Sequence, residues 1–178
     1  MNPTEICWAT ITDRRQASEL QAFTCTTSRP RSPAGRELPH SKPWERVAQS
    51  IIRQSPRCLK AGNLLVVGRC EGTAEIIAVA HLTFDGVSPT LFAAHVAAIG
   101  VSETMRGQGG KVADSVLAKS CDVIVDRAKD RSGGPILVTA NIHVENYPSQ
   151  LLFERATFEP ISVPRGEYQQ WIRDLACG

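Results

Sequence analysis

Residues 92–111 read FAAHVAAIGVSETMRGQGGK, and the order of residue types along this stretch decides the fold. Phe92 to Val101 is an apolar, β-prone run, Ser102 to Met105 a short polar turn, and Arg106 to Lys111 a glycine-rich basic loop. Apolar residues at helical spacing then continue from Gly110 to Lys129. This order predicts a strand, an anion-binding loop and a helix. The first turn of a helix leaves backbone N–H groups without intrahelical partners at the positive end of its dipole, so a phosphate is well received there. Gly107, Gly109 and Gly110 carry no Cβ to hold such a ligand off the backbone. Two common nucleotide loops fail by letter. A Walker loop needs a glycine five places before Gly110, where Met105 stands, and Ser or Thr after Lys111, where Val112 stands. A dinucleotide loop needs a glycine at the position of Val112.

Working outward, Ile6 to Ile11 predicts a first strand and Arg14 to Phe23 a short helix capped by Thr12 or Asp13. The segment 24–43 is rich in Pro, Ser, Thr and Arg and predicts a long loop. A loop of this length is either functional or a mobile insertion. Apolar positions from Trp44 predict a helix to Gln54, stopped at Ser55-Pro56. Leu64 to Arg69 and Ala74 to Phe84 predict a hairpin about Glu71-Gly72-Thr73, and Asp85 to Pro89 a further turn. After the central helix, stopped by Ser132-Gly133-Gly134-Pro135, Ile136 to Val144 predicts a strand. A strand, a helix and a strand in one sheet imply a parallel crossover, so the strands on either side of the helix should be neighbours. Pro148 suits the first turn of another helix, and Tyr168 to Leu175 predicts a last strand.

At 178 residues with a formal charge of +2 the chain suits one domain, residues 1–178, and its charge does not indicate a nucleic-acid or membrane surface. The six cysteines form no C-x-x-C pair, and are expected to be reduced and mostly packed. Neither a signal peptide nor a run of membrane-spanning length is legible, so the expectation is a soluble cytoplasmic protein.

The stretch 92–111 resembles the acyl-CoA site of the GNAT (Gcn5-related N-acetyltransferase) superfamily: an apolar strand ending in Val, a short turn, then Arg/Gln-x-x-Gly-x-Gly/Ala opening a helix. Arg106 and Gly109 fill the first and fourth places, with Lys111 where Gly or Ala is usual. Downstream, the family often carries alternating apolar residues leading to Asn-x-x-Ala and a helix ending in Tyr-x-x-x-Gly-Phe. Here Ala140, Ile142 and Val144 alternate up to Asn146, followed by Ser149 for Ala, Phe153 for Tyr, Thr157 for Gly, and Phe158.

The resemblance implies an α+β (mixed α/β) fold: a central, mostly antiparallel twisted sheet, one parallel strand pair splayed at the acyl-CoA site, and helices on both faces. It implies acetyl-CoA as co-substrate, with a diphosphate cradle at Arg106, Gly107, Gln108, Gly109, Gly110 and Lys111. Ile99, Gly100 and Val101 would pair with the pantetheine arm, one N–H polarising the thioester carbonyl. Asn141, Asn146 and Phe153 are further cofactor-side candidates; either asparagine could instead brace a strand end or cap. The loop 24–43 would shape the acceptor pocket, with Phe23 and Trp44 at its border. The family's usual Glu is Ala93 here, so His95, on the same strand face, is the expected base toward the amine. With Phe153 unable to give a proton, the thiolate leaves unaided or Tyr147 or Tyr168 serves. The function implied is acetyl transfer to an amine of a small molecule or peptide. The alternative is an acyl-CoA-binding regulatory protein with little or no turnover. No metal is expected, and a homodimer is possible.

Overall fold

The computed structural model describes residues 5–84, 90–107, 110–129, 134–161 and 163–175. The expected turn at 85–89, the helix stop at Ser132-Gly133, the loop residues Gln108 and Gly109, and Cys177 lie outside them.

Seven strands among the described residues form one sheet: β1 (Ile6–Ile11), β2 (Leu64–Cys70), β3 (Ile76–Phe84), β4 (Phe92–Val101), β5 (Ile136–His143), β6 (Glu159–Pro160) and β7 (Tyr168–Leu175), in the spatial order β1-β2-β3-β4-β5-β7-β6. Every pairing is antiparallel except β4 with β5, which is parallel. That exception follows from the crossover helix α2 (Lys111–Lys129) between them. Helix α1 (Pro43–Cys58) covers one face of the sheet, and α2 with α3 (Tyr147–Arg155) the other.

Alternation divides the core in two. Leu64, Val66, Ala78, Ala80, Leu82, Ala94, Val96, Val138 and Ala140 meet Val116, Leu117, Cys121 and Ile124 of α2, as the helical spacing predicts. Leu65, Val67, Val79 and Ala98 meet Ile52 of α1 together with Ala17, Leu20 and Phe23. Those last three buried residues recur every third position. The short helix expected over Arg14 to Phe23 is accordingly a 3-10 turn, Ser18–Ala22, whose period of three puts all of them on one side.

Two further boundaries differ from expectation. Pro43 belongs to α1 and opens it, where its missing N–H costs nothing. The helix also runs through Pro56 to Cys58. Pro56 removes one bond near the end, but the Leu59 N–H donates to the Ser55 carbonyl at 2.8 Å, and buried Leu59 draws the final turn onto the core. The five described cysteines are free, and of these Cys25 and Cys121 are buried, Cys70 is half-buried, and Cys7 and Cys58 are exposed, so fewer are packed than expected. Thr157, at the Gly place of the motif, holds the left-handed conformation that ends α3, at φ 61°.

The register between β3 and β4 shifts between His81, opposite Ala98, and Leu82, opposite Val96. Ala97 is the extra residue of a β-bulge. His81 lies at this bulge with neither ring nitrogen hydrogen-bonded among the described residues, and burial pushes its pKa below the ordinary 6.5. The folded state therefore keeps the ring neutral while the unfolded chain takes a proton first. Above pH 6.5 this group makes stability independent of pH, and below it stability falls as the unfolded state gains the proton. His81→Leu is expected to reduce the drop in urea midpoint between about pH 7.5 and about pH 5.5; an unchanged drop would place the acid sensitivity elsewhere.

Candidate active site

The bulge sets the geometry of the site. Parallel pairing of β4 with β5 runs from Phe92 opposite Ile136 to Val96 opposite Ala140, and ends there. Beyond it β4 stays paired with β3 through Val101, opposite Ala78. The two parallel strands separate, and a cavity of about 430 Å³ opens between their C-terminal ends.

Backbone direction in the open edge follows from one bond. The Ser102 N–H donates to the Ile77 carbonyl of β3 at 2.8 Å. Since the N–H and C=O of a strand residue point the same way and alternate along the chain, Gly100 also faces β3, and Ile99 and Val101 face the slot. Ile99 and Val101 both line the cavity.

Gly100 is a correction. Its backbone groups point away from the slot, and it does not line the cavity. A Cβ there would sit 2.7 Å from Ile52 Cδ1, 2.9 Å from Phe23 Cε1 and 3.0 Å from Cys25 Sγ. The glycine is required by the core beneath α1. Phe23 is likewise a core residue and does not line this cavity, whereas Trp44 does.

At the mouth, Gly107 and Gly110 have φ of 81° and 82°, the conformation a glycine adopts without strain. Among the described residues, the first bond into α2 is Asp114 N–H to Gly110 C=O, at 2.9 Å. The N–H groups of Lys111, Val112 and Ala113 precede it and form the positive end of the helix. Gly107, Gly110 and Lys111 line the cavity, as do Asn141, Asn146 and Phe153. Asn146 also caps α3: its Oδ1 accepts from Ser149 N–H at 3.4 Å, and its Nδ2 donates to Ser149 Oγ at 2.8 Å. Ser149 in the place of Ala supplies this second bond.

Arg106 lines the cavity too, but its guanidinium is turned toward α1. Nη1 donates to both carboxylate oxygens of Glu45 at 3.2 Å, and Nη2 to the Cys25 carbonyl. The side chain ties the loop to α1 and to the segment after Phe23.

The structure does not bring His95 to the cavity. It lies before the strands part, with Nδ1 2.9 Å from Thr139 Oγ1, and it is not among the lining residues. Tyr147 is exposed on α3 and is not among the residues that line the cavity, while Tyr168 is.

No family model and no curated protein matches this sequence. Its shape does have counterparts among solved structures. An acetyltransferase of the GNAT family from Streptococcus pneumoniae is similar over 97% of this chain and 100% of its own, with a TM-score of 0.58 and 11% identity. A putative acetyltransferase of the GNAT family from Desulfovibrio desulfuricans gives 0.56 at 16% identity, over 96% of this chain and 98% of its own. A chain of the NatC complex bound to Gag peptide and CoA gives 0.53 at 17%, over 97% and 99%. The chain has the GNAT fold.

Within the GNAT fold, the splayed pair and the glycine loop stand where the sequence resemblance implied. Beside Tyr168, already a candidate donor, the cavity holds His143, Arg155 and Glu45, which were not legible beforehand. His143 ends β5, is 5% exposed, and stacks on Trp44 with ring centroids 4.5 Å apart. Its Nδ1 accepts the Glu145 N–H at 3.1 Å, so the neutral ring carries its proton on Nε2, which lies 3.9 Å from a Glu167 carboxylate oxygen. Tyr168 meets His143 edge-on at 5.4 Å. Arg155 lines the cavity beside Gly110 and pairs with Asp114 at 2.6 Å. Glu45 lines it from α1, its side chain 17% exposed. A helix-face pattern marks Glu45 as a solvated residue, and only the fold shows that the loop residue Arg106 reaches it.

Gly100→Ala is expected to cost about 1–3 kcal/mol in urea denaturation by overpacking the core under α1. A variant with unchanged stability would show that Phe23, Cys25 and Ile52 do not constrain this position.

Proposed function

We propose that the protein is an N-acyltransferase that moves an acetyl group from acetyl-CoA directly to an amine. The observation that carries this reading is the end of β4–β5 pairing at Val96 and Ala140, directly before a helix N-terminus preceded by a glycine loop. An extended thioester arm fits an open strand edge, and its diphosphate fits the N–H groups at the start of α2. The NatC complex, a neighbour in fold, is a CoA complex. That supports the same ligand here.

In this arrangement the arm lies along Ile99 and Val101. A slot-facing N–H of one of them polarises the thioester carbonyl and holds the charge that gathers on its oxygen as the amine adds. The C–N bond forms, the C–S bond breaks, and CoA leaves as thiolate, which Phe153 cannot protonate. The amine's proton departs before or as nitrogen attacks. His143, fixed with its proton on Nε2, acts as a donor and orienter rather than as the base, and His95 lies off the route. The proton therefore passes to water, and the reaction runs on the fraction of amine already neutral.

Purified protein is expected to release free CoA thiol from acetyl-CoA only when a suitable amine is present, with kcat/KM rising with pH toward the pKa of the amine used. His95→Ala should keep that profile. A profile that tracks a group near pH 6.5 and is lost in His95→Ala would restore His95 as the base. Tight acetyl-CoA binding without turnover on any amine would favour a regulatory protein instead.

A further inference from the structure

Pairing of β4 with β5 ends at Ala140, and the next residue is Asn141. Ala140 and Ile142 are buried in the core shared with α2, so Asn141 points to the opposite, α1 face of the sheet, with Thr139 and His143. It is exposed and lines the cavity, and among the described residues its side-chain amide makes no hydrogen bond. Next to it on that face stand His143, stacked on Trp44, and Tyr168, while Val47, Ala48 and Ile51 of α1 supply an apolar wall. The ionised groups are mostly of one sign. Among the described lining residues Lys42, Arg106, Lys111 and Arg155 are cations, and Glu45 is the single carboxylate, already paired with Arg106 and Lys42. Such surroundings oppose an ammonium ion and lower the pKa of an amine held among them.

Building on the acyltransferase reading, we propose that Asn141 orients the acceptor, and that the acceptor is an α-amino amide: a weakly basic amine with a carbonyl on the neighbouring carbon and an apolar side chain. A side-chain amide carries one acceptor and one donor group side by side. Asn141 Oδ1 accepts an N–H of the neutral amine, leaving the nitrogen lone pair for the thioester carbon, and Nδ2 donates to the acceptor's own carbonyl oxygen. A carboxylate at this place would favour the ammonium, which has no lone pair to give; a neutral amide does not. The acceptor's side chain packs against Trp44, Val47 and Ile51. Basicity points the same way, because the amine's proton passes to water and only the neutral fraction reacts. An α-amino group has an ordinary pKa of about 7.7–8.0 and an alkylamine of about 10.4, so at about pH 7.5 roughly a third of the first is neutral and roughly one part in a thousand of the second. The lower nucleophilicity of the weaker base offsets part of that difference.

The test measures kcat and KM for leucinamide, for a short peptide beginning with leucine, and for isopentylamine, which is leucinamide without its carboxamide. Wild type, Asn141→Ala and Asn141→Asp are compared, with acetyl-CoA affinity followed by calorimetry in parallel. At about pH 7.5 the wild type should favour leucinamide over isopentylamine by about tenfold or more in kcat/KM. Whichever of leucinamide and the peptide is used faster identifies the source of the α-amine, and either order supports the proposal. In Asn141→Ala the leucinamide KM should rise about tenfold and the isopentylamine KM less, with acetyl-CoA affinity unchanged. In Asn141→Asp the pH profile of kcat for leucinamide should move upward by about one unit, because the carboxylate holds the bound amine protonated. A structural role for Asn141 would leave that profile in place, and a role toward the cofactor would weaken acetyl-CoA instead; either result overturns the proposal. Equal use of isopentylamine and leucinamide by the wild type also overturns it. Should Asn141→Ala fail to fold, the pH profile of Asn141→Asp decides. Absence of turnover by the wild type on every amine, with acetyl-CoA still bound, would overturn the acyltransferase reading and this proposal with it.

Discussion

One extra residue, Ala97, sits between two incompatible demands on β4. On one side β3 continues to pair with it as far as Val101; on the other, β5 has stopped at Ala140. A bulge adds local twist and turns the strand, and only one neighbour can follow the turned half. β5 instead remains with β7, paired from Ile136 opposite Leu175 to His143 opposite Tyr168. The separation of two parallel strands in the middle of a sheet would ordinarily leave backbone groups unsatisfied at considerable cost, and opening them to a cavity answers that cost. The slot-facing groups of Ile99 and Val101 and the helix N-terminus at Lys111 are consequences of this one geometry.

Electrostatics adds a second layer. Arg106 joins the loop to α1 through Glu45 and to the segment after Phe23 through the Cys25 carbonyl. Arg155 joins α3 to the first turn of α2 through Asp114. Both guanidiniums line the cavity, and both are paired with carboxylates. Cys25, buried beside this network, has its thiol pushed up to about 11 by burial, which outweighs the nearby Arg106. It stays a protonated packing group under Gly100 rather than a nucleophile.

Much of this was legible in the amino-acid sequence, for physical reasons that also mark where legibility ends. The order of strand, glycine loop and helix is local, so residues 92–129 disclosed the parallel pair and the helix that follows the loop. The end of α3 was implied by the family motif, and Thr157 takes the left-handed conformation in the glycine's place as Phe158 enters the core. Bulges depend on register against a neighbouring strand. Nothing in VAAIG distinguishes Ala97 as the extra residue, and Gly100 drew attention for a reason that belongs to α1 packing. His95 appeared suitable because strand alternation is readable, but its height along the strand relative to the splay is not. Trp44 and Tyr168 were legible as candidates, but His143 and Glu45 lie far from them in sequence and join them only through tertiary structure. The 3-10 turn at Ser18–Ala22 was missed although its period of three was present, since Ala17, Leu20 and Phe23 also satisfy a short helical pattern.

The central claim is that the unpaired end of β4 and the start of α2 hold one ligand together. Amide hydrogen exchange with and without acetyl-CoA measures this most directly. The account predicts slowed exchange at Ile99 and Val101 and across 107–113, with Gly100 unchanged because its N–H already faces β3. Protection confined to other segments, or no protection at saturating acetyl-CoA, would contradict it.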